Sequence, residues 1–271
     1  MTMLGTCALC RSEQVELRDS HLLPSWAYKR VRATRAGGPD PNPVNFTEGK
    51  AFQTSKQITG FLLCSACEDR FGRRENYVSQ LCRQSDGTTP LIQHLRRRAD
   101  QVDKPLEVAE LDIKVDAENL AYFAVSVVWR GDVMKEGHLA SDVTLGDRYR
   151  EKFRGYLNGD AAFPLCARVL LNVLKPPSWM MVIDGAVTTP SSNRMGACHR
   201  HAFLMCGFEF NVLVGHVLPN ASEEACLVHS TTKRVVLLVP EMSALAKGVV
   251  EAGGKAAPTK ALAARRNRQE R

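Results

Sequence analysis

Apolar positions in this chain come in short clusters through the first hundred residues and in longer runs from about 105 to 240. Residues 1–30 read as a cysteine knuckle followed by a short strand and a turn, and Phe61-Leu62-Leu63-Cys64 reads as a strand. From about Glu68 to Leu81 the pattern turns helical, with Phe71, Val78 and Leu81 near multiples of a turn. Residues 33–50 are punctuated by Gly and Pro and read as a loop. A helix is expected around 90–98, where Arg96, Arg97 and Arg98 suit a C-terminal end.

Asp103-Lys104-Pro105 marks a boundary. Beyond it Asp116 is placed to cap a helix running through Leu120, Phe123, Ala124, Val127 and Val128 to Trp129. A second helix, about 146–158, puts Tyr149, Phe153, Tyr156 and Leu157 on one face and stops at Asn158-Gly159. Apolar runs at 165–174, 179–183, 202–215 and 226–239, divided by turns such as Pro176-Pro177 and Pro219-Asn220, read as strands. A short helix near 241–250 precedes an Ala-, Gly-, Lys- and Arg-rich segment. The fold expected is α+β: a small cysteine-bearing domain over 1–102, a larger mixed α/β domain over 103–250, and a basic disordered tail over 251–271.

Composition narrows the class. With 271 residues, 44% hydrophobic and 24% charged, the chain has the make-up of a globular protein. No apolar run reaches the ~18–20 residues that span a bilayer, and Met1 to Leu9 lack the features of a secretory signal. The expectation is a cytoplasmic protein with no membrane partner. The net charge of +7 lies in the first hundred residues and the tail, while the middle is close to neutral. A polyanionic partner fits that distribution.

Nine cysteines are present, and four of them form two Cys-x-x-Cys pairs, Cys7/Cys10 and Cys64/Cys67. Each pair offers two sulfurs from one tight turn, so together they match a tetrahedral structural zinc site. The 53 intervening residues exceed the spacing of a zinc ribbon and suit a treble-clef-like arrangement. Cys82, Cys166, Cys198, Cys206 and Cys226 are scattered and read as small buried hydrophobes.

Between the pairs lies Arg18-Asp19-Ser20-His21-Leu22-Leu23-Pro24. With Leu62-Leu63-Cys64-x-x-Cys67-Glu68, this order resembles the zinc-containing branch of the HNH (His-Me finger) nuclease family, and within it the bacterial HNH-like proteins with a Ser-His-apolar-apolar-Pro signature. The resemblance covers about residues 1–80. It implies an endonuclease in which His21 is the general base and a catalytic Mg²⁺ or Mn²⁺ steadies the phosphate. Ser20 stands where the family places one metal ligand, with Asp19 one residue earlier. Glu68 stands at the other ligand position, directly after the second knuckle, and Glu75 would share its helical face. Asn76 and, for the family's middle Asn, Asn45 are weaker matches. Lys29, Arg30, Arg32, Arg70, Arg73 and Arg74 surround these residues and would contact the phosphates of a nucleic acid, DNA by the resemblance. Defence against mobile DNA is a role the resemblance also implies.

Residues 105–240 carry no catalytic motif. His199 and His201 would lie on one side of a strand, either as a metal pair or as ordinary polar residues. That region reads as a platform for homo-oligomerisation or for a regulatory protein partner. The alternative for the whole chain is a catalytically inactive, zinc-stabilised module that binds nucleic acid or protein.

Overall fold

The computed structural model describes residues 3–33, 44–47, 50–53, 57–82, 106–111, 115–134, 142–174, 186–229, 234–238, 243–255 and 257–258. The expected helix at 90–98, the strand at 179–183 and the end of the tail lie outside these residues, as does the boundary near 103.

The N-terminal part holds a three-stranded sheet in the order β1 (Met3–Gly5), β2 (Val15–His21), β5 (Thr59–Cys64), all antiparallel. Helix α1 (Ser25–Ala33) follows β2, and α2 (Ser65–Leu81) runs directly out of β5. Helix α1 corrects the reading of a mere turn before residue 30: Pro24 pre-sets the first turn and accepts a 2.9 Å bond from Ala27 N. Residues 44–47 and 50–53, partly inside the expected loop, form the hairpin β3 (Val44–Thr47) and β4 (Lys50–Gln53).

The larger part is built on a six-stranded mixed sheet. Its order is β6 (Leu106–Glu110), β11 (Arg234–Leu238), β7 (Ala167–Leu174), β10 (Phe208–Gly215), β9 (Cys198–Met205), β8 (Ser191–Met195). The single apolar run 202–215 resolves into a hairpin because Cys206 and Gly207 both take positive φ, +55° and +79°, the geometry of a two-residue turn matched to strand twist.

Helix α3 (Ala117–Val133) crosses this sheet, and α4 (Asp147–Asn158) packs beside it. Both were legible from their ends: Asp116 accepts from Asn119 N at 3.0 Å, and Gly159 takes φ +82°. Every α3 residue from Leu120 to Asp132 is buried. The helix is apolar nearly all round because it lies between two layers. On one side Phe123 meets the rings of Phe203 and Phe210, at 6.1 and 5.5 Å. On the other, Tyr122 and Trp129 flank Phe71 of α2. One continuous core therefore runs from Cys7, Leu9 and Leu63 to Val212 and Val214.

The sheet's other face carries a buried polar knot. Arg200 and Ser243 both donate to Glu209, and Asn172 donates to it at 3.2 Å. Ser243 also caps α6 (Ala244–Lys255), accepting from Ala246 N at 3.0 Å. A one-turn helix, α5 (Ala221–Glu224), precedes β11. Helix α6 continues through 251–255, and β12 (Ala257–Pro258) pairs with β4. Helix α6 thus reaches into the expected tail as far as Lys255, its Ala246 and Val249 packing against Leu174 and Leu204. No described helix is long and apolar enough to cross a membrane.

Candidate metal centre and the histidine turn

The two knuckles close on each other at the seam of β2, β5 and α2. In the first, Arg11 N bonds back to Cys7 O and Cys7 N bonds to Ser12 O, both at 2.9 Å. Arg11 takes φ +62°, a conformation uncommon outside Gly and one that bends the chain sharply after Cys10. In the second, Cys64 occupies the N-cap of α2 without capping it. Its thiol turns instead toward the cluster, and Cys67 follows within the first helical turn.

The four sulfurs lie within 4.8 Å of one another. Cys10 Sγ and Cys64 Sγ are 3.8 Å apart, and a tetrahedron with Zn–S bonds of about 2.3 Å has edges of about 3.8 Å. Cys64 N also donates to Cys7 Sγ at 3.4 Å, an outer contact that stabilises thiolate charge. The set can hold a metal ion, and four soft sulfurs at this spacing suit zinc.

Protonation behaviour agrees with a site that needs a cation. Burial pushes the thiols of Cys7 and Cys67 up. Burial opposes ionisation of Cys10 too, but donation by the Ser12 hydroxyl and amide outweighs it and brings Cys10 to about 6. Three or four thiolates so close repel unless a divalent ion neutralises them, so binding releases protons.

At the other end of the β2–β5 ladder from Cys64 lies the histidine turn. His21, half-buried, ends β2, and Leu22, Leu23 and Pro24 are buried behind it. Ser20, fully buried, donates its hydroxyl to Glu68 Oε1 in the first turn of α2. The fold thus joins two positions separated by 48 residues that the sequence motif had singled out. Asp19 is exposed, and strand alternation turns it to the face opposite Ser20. A β-bulge between Arg18 and Asp19 sets that phase.

Glu75 is committed elsewhere: its Oε1 accepts from Nη2 of the buried Arg130 at 2.6 Å. Among the described residues the four cysteines are the only group of three or more His, Cys, Asp or Glu side chains gathered for a metal. Asp19, Glu68 and Glu75 are not brought together as a second one. Glu75 is paired with Arg130 of α3, Glu68 with Ser20, and Asp19 lies on the exposed face of β2.

The basic residues also divide. Arg70 Nη1 bonds the backbone and side-chain oxygens of Asn158 on α4, the latter at 2.9 Å. Arg74 bonds Asn119 and lies 5.1 Å over the Tyr122 ring. Both stitch α2 to the larger part rather than standing free for phosphate. Arg73 lies with Glu68, Asp69, Gly72 and Asn76 along one open face of α2. A Cβ at Gly72 would meet nothing within 4 Å. Lys29 is exposed on α1; the side chains of Arg30 and Arg32, and of Asn45 on β3, lie outside the described residues.

His199 and His201 stack with ring centroids 6.5 Å apart, and no third ligand joins them among the described residues. His201 Nδ1 is instead 2.6 Å from Ser192 Oγ. Burial, with the nearby His199, brings His201 down to about 4, so it is neutral at pH 7. Arg130 is the residue that sequence reasoning missed. A lone arginine after Val127-Val128-Trp129 in an otherwise apolar helix was the available signal.

Comparison with known proteins finds no family model, no curated protein and no solved structure that matches this chain.

Proposed function

We propose that the chain is a metal-dependent endonuclease of HNH type, its treble-clef-like N-terminal part clamped by a structural zinc on Cys7, Cys10, Cys64 and Cys67. The observation that carries this reading is the bond from Ser20, the residue before His21, to Glu68 of α2, made across an antiparallel β2–β5 pair whose second strand runs directly into α2. His21 takes the proton of the attacking water. Glu68 is the carboxylate available to a hard divalent ion, which Mg²⁺ or Mn²⁺ accepts from as few as one or two protein carboxylates plus substrate phosphate. Such an ion supplies charge stabilisation at the scissile phosphate. Ser20 orients Glu68, and Arg73 with Asn76, on the same open face of α2, offers donors to a nucleic-acid backbone.

One observation favours the second reading, a zinc-stabilised binding module without catalysis: Glu75 is held by Arg130, and strand alternation puts Ser20, the partner of Glu68, on the face opposite Asp19 and His21. The test is nicking of supercoiled plasmid with Mg²⁺ or Mn²⁺ by wild type and His21→Ala. The enzyme reading expects metal-dependent nicking that falls by about 10²–10⁴ in the variant at unchanged melting temperature. Salt-sensitive DNA binding by both proteins with cutting by neither overturns it in favour of the module.

A further inference from the structure

The peptide unit that follows His21 is pinned at both ends. Its carbonyl accepts from Arg130 Nη1 at 2.7 Å, and its amide, on Leu22, donates to Ile58 O at 2.9 Å. With the preceding peptide held in the β2–β5 ladder, fixing this plane fixes the backbone dihedrals of His21 and therefore the direction in which its Cα–Cβ bond leaves the strand. Arg130 comes from α3, outside the segment that resembles a nuclease, and is 1% exposed. It is held in turn on three sides: Glu75 takes Nη2 at 2.6 Å, Ser126 O takes Nε at 3.3 Å, and the Phe71 ring lies 5.3 Å from the guanidinium. A planar, permanently charged fork is suited to reach two acceptors at once, which an ammonium cannot do in the same geometry.

We propose that Arg130 is a positioning residue through which the larger part of the protein sets the orientation of His21, with Glu75 as the counter-charge that holds the arginine in place. The proposal rests on the reading of His21 as the base for its catalytic consequence, but not for its structural one. Glu75 then has a definite task, which is to hold the histidine turn rather than to ligate an ion.

The experiment compares full-length, zinc-loaded wild type with Arg130→Lys and Glu75→Gln. Amide hydrogen exchange at Leu22 is followed alongside amides in the middle of α2, and plasmid nicking in Mn²⁺ is resolved into kcat and KM. The expected result is at least tenfold faster exchange at Leu22 in both variants with α2 unchanged. In nicking, kcat falls by roughly 10–100-fold with KM for DNA preserved, the scale expected when a reacting group is displaced by about 1 Å. Unchanged exchange at Leu22 in a folded variant overturns the proposal, as does uniform acceleration across α2, the sign of a merely structural role. If Arg130→Lys does not fold, Glu75→Gln decides by the same readings. If wild type cuts nothing, the nuclease reading fails, and exchange at Leu22 still decides the positioning role.

Discussion

Phe71 tests whether the two parts of this molecule fold as one. Its ring is fully buried and meets Tyr122 and Trp129 edge-on, at 5.9 and 6.3 Å, with Arg130 above its face. Phe71→Ala removes those contacts and leaves a cavity between α2 and α3, neither of which can close it without breaking other contacts to the core. Large-to-small changes of this kind cost about 3–5 kcal/mol, and the edge-to-face pairs place this site toward the upper end. At about 2–4 °C per kcal/mol for a chain of this size, the melting temperature falls by roughly 10 °C or more. The assay is thermal unfolding followed at once by far-UV circular dichroism, which sees the large sheet, and by thiol labelling, which sees the knuckles. Both signals are expected to shift together in a single transition. A loss below about 1 kcal/mol, or labelling that shifts while the dichroism does not, would refute the shared core.

Acid should expose His201. Burial holds its imidazole at about 4 against an ordinary 6.5, so the unfolded chain binds the proton first; the associated stability is present above pH 6.5 and is lost between about 6.5 and 4, on the order of 3 kcal/mol. Denaturant titrations across that window should show a steeper decline for wild type than for His201→Gln, and equal slopes would count against the buried neutral ring. Removing the metal with a strong chelator should loosen the seam of β2, β5 and α2 and, through the shared core, lower stability by several kcal/mol; an unchanged melting temperature after verified metal removal would contradict the clamp.

The parts legible in the sequence are those whose cause is local. Each Cys-x-x-Cys pair is a single turn, and α3 and α4 announce themselves through Asp116 and Gly159. What stayed hidden depends on residues far apart. A bulge decides that Ser20 rather than Asp19 faces α2, and nothing near Arg18 in sequence signals it. Arg70 and Arg74 read as free cations because no periodicity reveals that α3 and α4 cover that side of α2. Glu75 read as a metal ligand for the same reason: its partner, Arg130, lies 55 residues away.

The most direct test is the metal itself, since the four sulfurs that join the two knuckles at the seam could hold an ion. Protein purified without added metal should carry one zinc per chain, with X-ray absorption showing four sulfur neighbours at about 2.3 Å, and Cys64→Ser should lose both the zinc and the fold of this region. A chain that is folded and metal-free, or a Cys64→Ser variant as stable as wild type, would contradict it.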